Sequence, residues 1–306
     1  MLLDSPLGLG LLLLFGMLTG TLAGLLGIGG GVLLVPALIV AGAETTVQAT
    51  ATSLIGVFFS ATSGSIRNLR SGDLNWRAAL GIAVFGVFTA QGGARLGERI
   101  PDTWLSLGFA ALLIITIYLI RLKKQLTSRK QRQANDAINQ SFDDDDSRSI
   151  QLEQSRSRDN VLGNEISSHS SPPQHQASAK KKSFLRRLSS IASIGATAGM
   201  LSGLFGVGGG VVMVPLQMLI LGEEIKAAVR TSLGAIVAIA ASGLIEHTRN
   251  NNVLWIPGIM LGVGGIIGAQ LGTRLLPKLP DQTVNIMFRL LLTSLSVYMI
   301  IRAIQG

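Results

Sequence analysis

Gly20 to Pro36 reads GTLAGLLGIGGGVLLVP, and Gly199 to Pro215 reads GMLSGLFGVGGGVVMVP. Eleven of the seventeen positions are identical, and most of the others exchange one apolar residue for another. Glycine inside a helix costs roughly 1 kcal/mol relative to alanine. The runs Gly29-Gly30-Gly31 and Gly208-Gly209-Gly210 are therefore read as helix breaks, each followed by a short apolar segment holding Pro36 or Pro215. Neither run fits a phosphate loop, because no Lys-Ser or Lys-Thr follows the glycines. Neither fits a dinucleotide fingerprint, since Val32 and Val211 stand where its last glycine belongs and no strand precedes. Close helix packing alone is the plain alternative, for Gly20/Gly24 and Gly199/Gly203 form small-xxx-small pairs.

Of all residues, 48% are hydrophobic and only 14% charged, and the mean hydropathy is +0.48. Soluble domains carry about 25% charged residues. Apolar stretches here reach the roughly 20 residues that a bilayer core requires. The sequence predicts an all-α polytopic membrane protein. Broken backbone at membrane depth is tolerated only where protein or a water-lined cavity satisfies it. Interrupted hydrophobic segments at matching places in two halves point to a transporter binding site.

Five apolar segments are expected in the first half: 7–26, 32–42, 47–66, 76–96 and 103–120. The second half repeats them at an offset of 179 residues, the separation of Pro36 and Pro215. Glu44 matches Glu223, Thr52-Ser53-Leu54 matches Thr231-Ser232-Leu233, and Trp76 matches Trp255. Gln91 and Arg95 match Gln270 and Arg274, and Pro101-Asp102 matches Pro280-Asp281. The predicted layout is a membrane repeat at 1–121, a disordered, charged cytoplasmic linker at 122–185 and a second membrane repeat at 186–306. About eight to ten spans are expected, with broken or re-entrant helices at the glycine motifs. The linker holds Asp143 to Asp146 and Pro172-Pro173 and lacks a sustained apolar period.

The net charge of +9 does not point to nucleic acid, because 13 of the 26 basic residues lie between Lys123 and Arg187, outside the apolar runs. Such clusters mark the cytoplasmic face and would rest against anionic lipid. Residues 1–66 hold no Lys or Arg, which places the N-terminus outside, as a retained span. Arg67, Arg70 and Arg77 bias one loop of the first half inward, and Arg274 and Lys278 bias a non-matching loop of the second. Opposite bias is what two inverted-topology repeats produce. Trp76, Trp104 and Trp255 all fall at segment ends, where an interfacial belt sits.

No cysteine is present, and His169, His175 and His247 are scattered. Thiol chemistry, a zinc-protease helix and catalytic residues in general are not read here, so no enzyme, metal or cofactor is expected. The paired glycine motifs, the Thr-Ser after each and the two-module layout resemble the sulfite exporter TauE/SafE family. That resemblance covers both hydrophobic modules. It implies a transporter of the cell membrane for sulfite, organosulfonates or related small sulfur-containing anions. It transfers no catalytic residue.

The site residues are read from the chain itself. Half-helices starting after Gly29, Gly30, Gly31 and after Gly208, Gly209, Gly210 would offer unpaired N–H groups and positive dipole ends to an anion. Thr52, Ser53, Thr231 and Ser232 carry hydroxyls that either donate to it or bond their own helix. Gln91 and Gln270 share a helix face with Arg95 and Arg274, which either meet the anion or snorkel to headgroups. Arg230 and Arg289 replace Ala51 and Ala110, and Arg289 lies deep in its segment, as a substrate site or in a structural pair. His247 is read as a loop residue. An anion channel and a membrane-anchoring subunit are the rival functions, and homo-oligomer formation stays open.

Overall fold

The computed structural model describes residues 6–105, 107–119 and 175–305. Of the predicted linker, residues 122–174 lie outside the described residues. Residues up to 119 and from 185 onward form one compact unit. In the other, Ile120–Phe184, the described part is the helical course from His175.

The elements are α1 (Pro6–Leu26), α2 (Gly31–Ala41), α3 (Thr46–Arg70), α4 (Trp76–Gly97), α6 (His175–Phe205), α7 (Gly210–Leu216), α8 (Ile225–Arg249), α9 (Trp255–Leu275) and α10 (Asp281–Gln305). A further helix, α5, covers Asp102–Leu119. A π-helical turn, Gln217–Leu221, extends α7. No strand occurs among the described residues. Seven helices among them are long and apolar enough to cross a membrane, and Gly31–Ala41 and Gly210–Leu221 are shorter apolar helices. Helix starts follow local chemistry. The Thr45 hydroxyl accepts the Gln48 N–H at 3.1 Å, and the Asn75 amide oxygen accepts the Ala78 N–H at 3.3 Å.

Apolar side chains face outward as well as inward. Leu14 on α1, Phe88 on α4 and Leu290 on α10 are all exposed, as lipid-facing residues are. With lipid outside, hydrophobic burial gives little reason for helices to associate, and close backbone contact takes over. Small residues provide it. A Cβ at Gly20 would fall 2.7 Å from the Gly265 Cα, and one at Gly24 2.7 Å from the Ala269 carbonyl oxygen, so α1 lies flush on α9. At the offset of 179, a Cβ at Gly199 would fall 2.6 Å from the Gly86 Cα, and one at Gly203 2.8 Å from the Ala94 nitrogen. There α6 lies flush on α4. Hydrogen bonds repeat the pattern: Ser63 Oγ donates to the Ile266 carbonyl at 2.9 Å, and Ser242 Oγ to the Val87 carbonyl at 2.7 Å. Each half therefore packs its first and third helices on the fourth helix of the other half.

Candidate functional site

After Leu26 the chain leaves helical geometry. Gly27, Gly29 and Gly30 have φ of 69°, 73° and 84°, and Gly206, Gly208 and Gly209 have φ of 67°, 74° and 74°. This left-handed region costs other L-residues roughly 1–2 kcal/mol each. The Gly27 N–H closes α1 on the Ala23 carbonyl at 2.8 Å, and the Gly206 N–H closes α6 on Ser202 at 2.8 Å. The next helices open with Leu34 N–H on Gly30 at 3.2 Å and Met213 N–H on Gly209 at 3.0 Å. Both glycine runs are buried.

The two runs touch each other. A Cβ on Gly31 would collide with the Gly206 carbonyl oxygen and fall 2.7 Å from the Val207 Cα. A Cβ on Gly210 would collide with the Gly27 carbonyl oxygen and fall 2.7 Å from the Ile28 Cα. Hydroxyls tie the crossing together. Ser53 Oγ donates to the Gly206 carbonyl at 2.9 Å, and Ser232 Oγ donates to the Gly27 carbonyl at 2.7 Å. Each serine also lies within reach of a carbonyl of its own helix, Thr50 at 2.7 Å and Val229 at 2.9 Å, so one proton is shared between two acceptors. Ser60 Oγ adds a bond to the Gly29 carbonyl at 3.0 Å. Val57 and Ile236 close the centre, since both approach the open face of Gly29 and of Gly208.

The other predicted residues spread out. Thr52 is fully buried and accepts the Leu254 N–H at 3.0 Å, which fixes the start of α9. Thr231 is likewise buried. Gln270 donates to the Ser63 carbonyl and hydroxyl, each at 3.0 Å. Ser63 follows Ser60, which bonds the Gly29 carbonyl, by three residues on α3, about 4.5 Å along the axis, so this bond lies one turn from the first break. Gln91 is half-buried on α4. The exposed Arg95 side chain holds the Glu246 carboxylate with its Nε and Nη2 at 2.6 and 3.3 Å. Arg230 pairs with Asp73 at 3.2 Å.

Three features escape the sequence reading. His247 is no loop residue: it lies in the last turn of α8, is 1% exposed and sets Nε2 3.1 Å from the Gly203 carbonyl. Glu246, beside it, is buried. Gln217 opens the π-helical turn after the second break, is fully buried, and meets no partner among the described residues at either amide atom. Its match in the first half is Leu38, and a lone amide in the run VVMVPLQMLIL was the available signal.

The long apolar helices and their lipid-facing side chains define a multi-pass α-helical membrane protein. The pattern of the family described as "Sulfite exporter TauE/SafE" matches residues 12–299. The chain belongs to that family and is a membrane transporter of its type. It is 26% identical over 304 residues to "Probable membrane transporter protein YunE" of Bacillus subtilis (strain 168), covering 96% of this chain and 98% of that one. It is also 26% identical over 291 residues to a "Probable membrane transporter protein" of Xylella fastidiosa (strain Temecula1), covering 94% and 93%. No solved structure matches it.

Proposed function

We propose that this transporter is a secondary exporter of a small sulfur-containing oxyanion, sulfite or an organosulfonate, across the cell membrane. Its two halves are inverted-topology repeats, and the anion passes between their glycine breaks. One observation carries the reading: two left-handed glycine runs lie buried against each other, each held by a serine of the opposite half. Helix starts beyond such breaks present N–H groups without intrahelical acceptors, suited to an anion that must also leave. Here Val57 and Ile236 fill the centre, so the described conformation is the shut one. Opening it requires only that two packed halves slide, as alternating access does.

The full chain reconstituted in liposomes is expected to move labelled sulfite or 2-aminoethanesulfonate without ATP. Absence of flux for every small anion tried, with activity only beside a second protein, would instead identify an anchoring subunit. The segment 122–174 is a tether in this reading, so deletion of residues 125–174 should leave flux within about twofold of the full chain. Lost flux in a well-folded deletion would assign the segment a role in transport.

Inversion has its own test, made clean by the lack of cysteine. Ser71 and Asn250 are matched positions in the loops after α3 and α8, and both are exposed. Ser71→Cys and Asn250→Cys should react with a membrane-impermeant maleimide from opposite sides of the membrane. Labelling from the same side would mean parallel repeats.

A further inference from the structure

Arg289 stands about 12 Å along α10 from Asp281, at a rise of about 1.5 Å per residue. It borders the buried stripe of Val284, Phe288 and Leu292. Its Nε and Nη2 are both buried and meet no acceptor among the described residues, and Oδ1 of Asn285, four residues earlier on the same face, is buried and meets no donor there. The other cations of the helical unit that lie near carboxylates have taken them: Arg95 and Arg249 on Glu246, Lys226 on Asp281 and Arg230 on Asp73. No carboxylate pairs with Arg289 among the described residues. A guanidinium at such depth is costly unless something negative visits it. Arg289 as a whole is half-buried, and it is the edge formed by these two nitrogens that protein covers.

The pair of nitrogens matters. Nε and Nη2 form the side edge of the guanidinium, whose two parallel N–H bonds match two oxygens of one oxyanion. Arg95 uses this same edge on the Glu246 carboxylate. α10 packs on α1, α2 and α8, the helices that flank the first break and carry Ser232. The first half has Ala110 at the matching position, so the cation occurs once per molecule.

We propose that Arg289 is the oxyanion receptor of the transport path. This deepens the transporter reading above and rests on it. The site takes an anion presenting two oxygens side by side, such as sulfite, a sulfonate or a carboxylate, and disfavours halides. The path is therefore asymmetric: the glycine crossing is common to both halves, while the fixed charge belongs to the second.

The test uses the reconstituted full chain. Arg289→Lys keeps the charge and removes the fork, so KM for sulfite should rise about tenfold or more while the elution profile and maximal rate stay near wild type. Arg289→Gln should abolish saturable sulfite flux. A second measurement needs no variant. Phenylglyoxal modification of Arg289, followed by peptide mass spectrometry, should be slowed by sulfite and not by chloride. Wild-type KM in both variants, or equal protection by chloride, overturns the receptor while leaving the transporter reading intact. Wild-type liposomes that move no anion of the series would overturn that reading and the receptor with it.

Discussion

Gly31→Ala and Gly210→Ala are each expected to destabilise the protein by about 3 kcal/mol, the upper end of the range for overpacking. The methyl group of either variant points at the opposite break, at the carbonyl of Gly206 or of Gly27 and at a neighbouring Cα. These obstructions are backbone, so no rotamer change relieves them. Moving the backbone would strain the serine bonds at 2.9 and 2.7 Å that join the halves at the same carbonyls. A loss of this size is a large share of the roughly 5–15 kcal/mol that holds a typical domain folded. Gly10→Ala and Gly92→Ala are the controls, because a Cβ at either meets nothing within 4 Å and both lie in helices. These should be neutral or stabilising by up to about 1 kcal/mol through helix propensity. Thermal unfolding in detergent micelles reads all four. Four indistinguishable melting curves would mean that the breaks do not touch as described.

The contrast between these glycines shows what the sequence discloses and what it conceals. Helix limits were legible to within a few residues: segments expected at 47–66 and 76–96 are Thr46–Arg70 and Trp76–Gly97. Length, polar caps and turn glycines are local signals, and they suffice for that. The triple glycines stood out as three poor helix formers in an apolar run, open to a break or to close packing. Partners were not legible. Gly20 and Gly24 announce a close helix neighbour, but only the folded chain shows it to be α9, from the other half. Thr52 and Gln270 looked like ligand donors, yet they bond the α9 backbone and Ser63, because a buried hydroxyl or amide takes the nearest partner. His247 looked like a loop residue because polar neighbours follow it. Its partner is the Gly203 carbonyl on another helix, which no pattern along one chain segment reveals.

Gln217 and Leu38 carry the second large prediction, as a reciprocal exchange. Both side chains are fully buried, at matched positions after the two breaks. Leu38 sits in the regular helix α2, while Gln217 opens a π-helical turn and leaves both amide atoms without a partner among the described residues. An unsatisfied buried amide costs about 1–3 kcal/mol. Gln217→Leu should therefore raise stability by up to that amount, since the first half already shows that leucine fits the equivalent place. Leu38→Gln should lose about 3–5 kcal/mol, combining lost apolar burial with an added unsatisfied amide. π-helical turns gather at functional sites, and stabilising substitutions at such sites commonly cost activity. The stabilised Gln217→Leu protein should accordingly transport more slowly than wild type in the same liposomes. Faster melting of Gln217→Leu would show that the amide has a structural partner, whereas unchanged flux in a more stable variant would remove Gln217 from the transport path.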